Sequence, residues 1–219
     1  MPGRSYTIEQ VRAVDDYVRS PRPDMPGRSY RWLLLGLAAF ALVADLGSKY
    51  YAFRELYHRG EHDLVPGWFK FIAQYDPTIP VSDGGLRELQ TWSTNGEPVM
   101  PRVNHGALFG MGGAGRGVAN GVFAAVSLLA AVAILVWGLR GQPSRERWLS
   151  TALGLILGGT LGNFYDRVVF GGVRDFLYFY WIEWPVFNFA DCCLVVGAGL
   201  LLVQAVFAPP PPAAAAPTA

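Results

Sequence analysis

The stretch Gly158-Gly159-Thr160-Leu161-Gly162-Asn163-Phe164-Tyr165-Asp166-Arg167 decides how this chain is read. A run of small and apolar residues passes directly into Asn, Asp and Arg. Gly171-Gly172-Val173-Arg174-Asp175-Phe176 follows, and then Phe187-Asn188-Phe189-Ala190-Asp191, which opens another apolar run. Polar groups in apolar surroundings are costly and are kept where they serve a site. Gly158 and Gly162 form a small-xxx-small pair, which lets a neighbouring helix approach closely.

Working outward, hydrophobic residues make up 52% of the 219 and charged residues only 16%. The apolar residues are blocked into runs at 32–53, 118–139, 148–165 and 186–207 rather than spread at helical period. About 20 helical residues cross a bilayer, and the shorter third run suffices with local thinning or flanking anchors. The expectation is an all-α membrane protein with four transmembrane helices. Residues 1–30 read as a polar, Arg-bearing cytoplasmic tail in which Met-Pro-Gly-Arg-Ser-Tyr occurs at Met1 and again at Met25, as a local duplication or an alternative start at Met25 would give. A short helix is expected at 8–18. Residues 208–219, rich in Pro and Ala, read as a disordered tail.

Residues 31–207 then form the membrane domain. Its polar section, 53–115, lies outside the membrane. Within it, 64–75 reads as a turn followed by a strand. Residues 76–102, dense in Pro, Gly, Ser and Asp, read as an extended loop, and 103–110 as strand-like. Basic residues set the orientation. Arg4, Arg12, Arg19, Arg22, Arg28 and Arg31 precede the first run, and Arg140, Arg145 and Arg147 separate the second from the third. The positive-inside rule places both groups, and hence both termini, in the cytoplasm. The aromatic cluster 176–184 reads as an interfacial belt. A formal net charge of +1 without a basic stripe argues against a nucleic-acid partner.

With that topology the polar groups converge on the outer face. Asp45 and Lys49, four apart, share one face of the first helix. Asn104 follows in the outer section. Asn163, Asp166 and Arg167 close the third run, Asp175 lies in the next connection, and Asn188 and Asp191 open the fourth. Snorkelling residues would appear at both faces and would lack partners. A proton-coupled transporter would need an acid path through the cytoplasmic half, and no inverted repeat is visible. A non-enzymatic assembly factor, binding partners through the Gly-rich helix, is the other rival.

The chemistry can be narrowed. The histidines, His58, His62 and His105, all lie in the outer section, so no Ser-His-Asp set emerges. Cys192 and Cys193 have no base in their run and read as small apolar filler. Carboxylates without histidine would make a weak zinc site. An acid pair sharing one proton fits the residues present, one acid acting as base on a water and the other as acid.

These blocks resemble the signature of bacterial lipoprotein signal peptidase, signal peptidase II. Asp45 with Lys49 matches the family's first-helix block, and Asn104-His105-Gly106-Ala107-Leu108-Phe109 its outer-loop block. The resemblance covers roughly 32–207 in the right order. It implies a four-helix aspartyl endopeptidase of the bacterial inner membrane with its active site near the outer face. The substrate would be a diacylglyceryl-modified prolipoprotein, cut immediately before the lipidated Cys. By position the catalytic pair would be Asp175 and Asp191. Asp45, Lys49, Asn104, Gly106, Gly159, Asn163, Asp166, Arg167, Asn188 and Ala190 would bind substrate or support the site. Of these, Asp166 looks structural. A β-like cradle and a small amphipathic helix would clamp the substrate. No cofactor or metal is implied, the partners would be substrate and membrane lipid, and a monomer is expected. The stretch 76–102 departs from the family pattern and reads as a tolerated insertion.

Overall fold

Helices form where the apolar runs stand. The computed structural model describes residues 29–56, 59–76, 92–94, 97–106, 115–140 and 146–207. Helix α1 spans Arg31–Glu55, α2 Gly115–Arg140, α3 Arg147–Phe170 and α4 Phe189–Phe207. The expected helix at 8–18 and the C-terminal tail lie outside the described residues.

Helix α3 is the hub and packs against each of the other three helices. Its glycines make this packing possible. A Cβ at Gly154 would sit 2.8 Å from the Leu34 carbonyl oxygen, and one at Gly158 2.6 Å from that of Ala38. Both contacts face α1. On the α4 side, a Cβ at Gly159 would sit 2.6 Å from the Ala190 carbonyl oxygen. Leu34, Ala38, Ala131, Leu153 and Leu157 form the buried apolar cluster within the bundle.

Three of the helices, α1, α2 and α4, are long and apolar enough to cross a membrane. With exposed Phe40, Val43, Val122, Leu129, Val195 and Leu202 on their surfaces, they describe a multi-pass membrane protein. Helix α3, the run expected to be the shortest of four spans, does not meet the same measure, so three spans stand on length and composition. Gly, Ser and Thr dilute its apolar run, and its C-terminal turns carry Asn163, Asp166 and Arg167. Because its neighbours cover much of it, it needs less apolar surface of its own.

Both ends facing the site have local causes. Helix α3 continues to Phe170, past the end of the apolar run at residue 165, and stops at Gly171 in the left-handed region (φ 72°). Helix α4 begins at Phe189 rather than 186 because Asn188 caps it. The Asn188 Oδ1 accepts the Asp191 N–H at 3.1 Å, and Asp191 Oδ2 accepts the Asn188 N–H at 3.1 Å. This is the reciprocal arrangement of a capping box.

Two small sheets cover this end. Strands β1 (Glu61–Val65) and β2 (Phe69–Ile72) form a hairpin. Strands β3 (Tyr75–Asp76), β4 (Trp92–Thr94) and β5 (Glu97–Pro101) form the second sheet, in the order β3-β5-β4. Strand β6 (Leu177–Phe179) joins the first sheet beside β2, with Phe71 opposite Leu177. One expectation changes here. The stretch 76–102 is not purely loop, since its C-terminal part builds β5 and buries Met100. The cradle also draws a strand from the α3–α4 connection, within the aromatic cluster 176–184. Among the described residues no helix lies between α1 and α2. A buried cluster of Ala52, Phe53, Leu56, Ala73 and Phe176 fastens the first sheet to the end of α1.

Candidate active site

At the α3–α4 end of the bundle, the capping residue Asn188 is fully buried and sits at the centre of the polar groups. Its Nδ2 donates to Asp175 Oδ1 at 2.7 Å and to Asn163 Oδ1 at 3.2 Å. The same residue exchanges the two capping-box bonds with Asp191. Asp175 and Asp191, from different parts of the chain, are therefore held by one asparagine. Asn163 of α3 completes the ring by donating from Nδ2 to Asp191 Oδ1 at 3.0 Å. Both acids remain partly exposed while Asn188 does not.

A buried charged layer lies beneath. Lys49 Nζ donates to Asp45 Oδ2 at 2.8 Å and to Asn163 Oδ1 at 3.1 Å, and lies 3.4 Å from Asp166 Oδ2. Asp45 Oδ1 accepts the Ala190 N–H at 2.9 Å, one of the helix-start donors that has no partner within its own helix. Asp166 Oδ2 accepts the Arg174 N–H at 2.9 Å. The residue before each candidate acid is thus tied through its backbone to a buried carboxylate, and Lys49 spans the two carboxylates. Gly162 leaves room for the Asp45 carboxylate, which occupies the space a Cβ would need.

A further side of the site is contributed by the 104 block. Asn104 Nδ2 donates to Asp175 Oδ2 at 3.0 Å, and its Oδ1 accepts the Gly106 N–H at 2.8 Å. Its backbone forms a bridge with Val173. Gly106 adopts φ 93° and packs against the Phe123 ring of α2, so this position demands glycine. The ring of His105 is hydrogen-bonded to the Gly171 carbonyl at 2.9 Å. A cleft of about 280 Å³ flanks Asp175, lined by Ile72, Gln74, Val103, Asn104 and Val186 among others.

Burial pushes the Asp175 carboxyl up to about 6. The hydrogen bonds from Asn104 and Asn188 oppose that rise, the nearby Asp191 charge adds to it, and Lys49 lowers it. A carboxyl in that range exists in both protonation states near neutral pH, as an acid pair requires.

Several site residues were not foreseen. Arg174, the sequence neighbour of Asp175, is fully buried and turns to Asp166, with Nη2 2.8 Å from Oδ1. Arg167 does not touch either candidate acid. Its Nη1 lies 3.4 Å from Asn120 Oδ1, and its guanidinium sits 4.9 Å from the centre of the Phe123 ring. Asn120 in turn donates to the Arg167 carbonyl at 3.0 Å. Asn120 was the available signal, as a lone amide in the first turns of an otherwise apolar helix.

Known proteins resemble this chain over much of its length. Residues 98–207 match the family described as signal peptidase (SPase) II. A lipoprotein signal peptidase of Symbiobacterium thermophilum is 36% identical over 176 residues, covering 80% of this chain and 94% of that protein. Another, of Rhodopirellula baltica, is 46% identical over 118 residues, 47% of this chain and 51% of that one, so this match spans about half of the relative. A bacterial membrane enzyme solved by the in meso method at 1.9 Å resolution matches with a TM-score of 0.62 and 19% identity, over 84% of this chain and 99% of the other. At that identity the likeness concerns the fold alone.

Proposed function

This chain belongs to the signal peptidase II family, and from that premise we propose that it is an aspartyl endopeptidase of the bacterial inner membrane. It cleaves the signal peptide from diacylglyceryl-modified prolipoproteins immediately before the lipidated Cys. The observation that carries this reading is the single buried Asn188 bonded to both Asp175 and Asp191.

In the mechanism we assign, a water is held between the two acids. Asp191, whose oxygens accept N–H donors from Asn163 and Asn188, takes a proton from that water as its oxygen bonds to the scissile carbonyl carbon. Protonated Asp175 gives its proton to the carbonyl oxygen. The resulting diol collapses and the C–N bond breaks. Asp191 then passes its proton to the departing nitrogen of the lipidated Cys, and a diol hydroxyl returns one to Asp175. The pair is restored, and one water is consumed. No cofactor enters.

Four membrane passes with both termini in the cytoplasm belong to the same proposal, with α3 as the covered span and the acids near the outer face. The arginines before α1 and between α2 and α3 support that orientation. Exposed Trp68, between β1 and β2, and exposed Trp181 and Trp184, in the connection that leads to α4, suit a membrane–water boundary. The apolar flanks of the helices would take the acyl chains and the signal helix, while Asn104, Gly106 and Arg167 position the peptide. One chain suffices, since both acids and their partners come from it.

The test is cleavage of a diacylglyceryl-prolipopeptide by Asp175→Asn and Asp191→Asn proteins. Each should lose turnover while still melting cooperatively. Retained cleavage in either would overturn the acid-pair assignment.

A further inference from the structure

Arg174 is an arginine with 0% exposure, immediately before one of the two acids. Burying a guanidinium carries a large desolvation cost, repaid only by good geometry. Here the geometry is unusual in where it points. Asp166 accepts Nη2 at 2.8 Å, Nε at 3.2 Å and the Arg174 backbone N–H at 2.9 Å. One carboxylate therefore grips both the side chain and the main chain of the same residue. The guanidinium packs against Tyr50 of α1 and Phe170 of α3, 4.2 and 4.0 Å from their ring centres. Its Nη1 has no hydrogen-bond partner among the described residues. An apolar side chain could fill that slot without this unpaired donor, so stability alone accounts poorly for the arginine.

The residue on the other side of Asp175 is equally fixed. Phe176 is 2% exposed, its N–H donates to the Phe187 carbonyl at 3.0 Å, and its carbonyl accepts the Ile72 N–H at 2.9 Å. Asp175 is thus one partly exposed residue between two that are buried and bonded. The Phe176 side belongs to the sheet, whereas the Arg174 side is held by the helix bundle.

We propose that Arg174 is a positioning residue for Asp175: its buried fork on Asp166 sets the backbone from which the acid reaches Asn188, a role that rests on the acid-pair reading above. Lys49, 3.4 Å from Asp166 and 2.8 Å from Asp45, links this clamp to the one at Ala190 beside Asp191. The two acids are therefore registered against each other through α1 and α3 as well as through Asn188.

The experiment compares Arg174→Met, Arg174→Lys and the double variant Arg174→Met/Asp166→Asn in the full chain, with Asp175→Asn alongside. The single Met variant leaves Asp166 under-compensated, so it loses stability. The double variant removes one charge of each sign and should melt near the parent. If Arg174 positions the acid, the double variant still loses kcat on the order of 100-fold while KM stays within about twofold, as misplacement near a reacting centre does. Lysine keeps the charge but cannot fork onto both oxygens, so Arg174→Lys should lie between parent and double variant. Parental kcat in the double variant, or in Arg174→Lys should the double variant fail to fold, would overturn the proposal. So would a rise in KM at constant kcat. A dead Asp175→Asn beside a fully active double variant would sink only the role of Arg174. An active Asp175→Asn would instead sink the acid-pair reading.

Discussion

Replacing Gly162 with Ala tests the layer beneath the site. A Cβ there would overlap the Asp45 carboxylate, with Asp45 Cγ only 3.0 Å away. Asp45 is 0% exposed and pinned by Lys49 at 2.8 Å and by the Ala190 N–H at 2.9 Å. Making room therefore breaks at least one charge-assisted hydrogen bond, worth about 1.5–3 kcal/mol. Overpacking adds about 1–3 kcal/mol. The gain in helix propensity returns about 1 kcal/mol. The net expectation is a loss of about 3 kcal/mol, or about 6–12 °C in melting temperature for a chain of this size. Tryptophan fluorescence during a thermal ramp in detergent would read this. Gly36→Ala and Gly47→Ala in α1, where a Cβ meets nothing within 4 Å, serve as controls and should melt with the parent or slightly above it. Cleavage should fall as well, because Asp45 holds the N–H of the residue before Asp191. If Gly162→Ala melted like the controls, Asp45 could not lie against α3, and the buried layer would be wrong.

Two other outcomes follow from the same site. With Asp175 pushed up to about 6 and acting as the acid, turnover should decline as pH rises through that value, measured as kcat against pH. The stability linkage has the same direction: the contribution of this carboxyl is complete below its ordinary value of 3.8 and is lost as pH rises through about 6. A rate that climbs steadily from pH 5 to 8 would contradict that assignment. As for the insertion, replacing residues 77–91 with a short Gly-Ser linker should leave cleavage intact. Replacing all of 76–102 removes β5 and buried Met100 and should cost both stability and activity. Equal activity in the two deletions would show that the second sheet is dispensable.

Much of this arrangement was legible because membrane burial makes composition informative. The runs that became α1, α2 and α4 stand out as blocks, and Gly158 with Gly162 announces a close helix contact. The one-sided gathering of Asp45, Lys49, Asn163, Asp175, Asn188 and Asp191 followed from topology alone. What stayed hidden depends on direction. Arg167 adjoins Asp166 in sequence, but successive residues on a helix point about 100° apart. The arginine that reaches Asp166 is Arg174, which returns to α3 across the turn at Gly171. Strand β6 was obscure for a similar reason. Its aromatic run has no polar alternation, and its partner β2 lies far away in the chain.

The buried layer also bears on why the site is built from charges. Asp45, Lys49, Asp166 and Arg174 are all 0% exposed and carry two charges of each sign. Such a set is weak evidence for stability, because apolar replacements of similar volume often match or exceed it. What it provides, and apolar packing does not, is direction. A carboxylate accepts an N–H along a defined line, so Asp45 and Asp166 each fix a backbone position one residue before an acid. Packing against the small residues of α3 would hold the helices together yet tolerate sliding. An acid pair works only over a narrow range of separations, since its members must share one water. On the acid-pair proposal the directional layer would serve the chemistry above it, and variants that preserve charge balance while losing direction would separate its role in stability from a role in turnover.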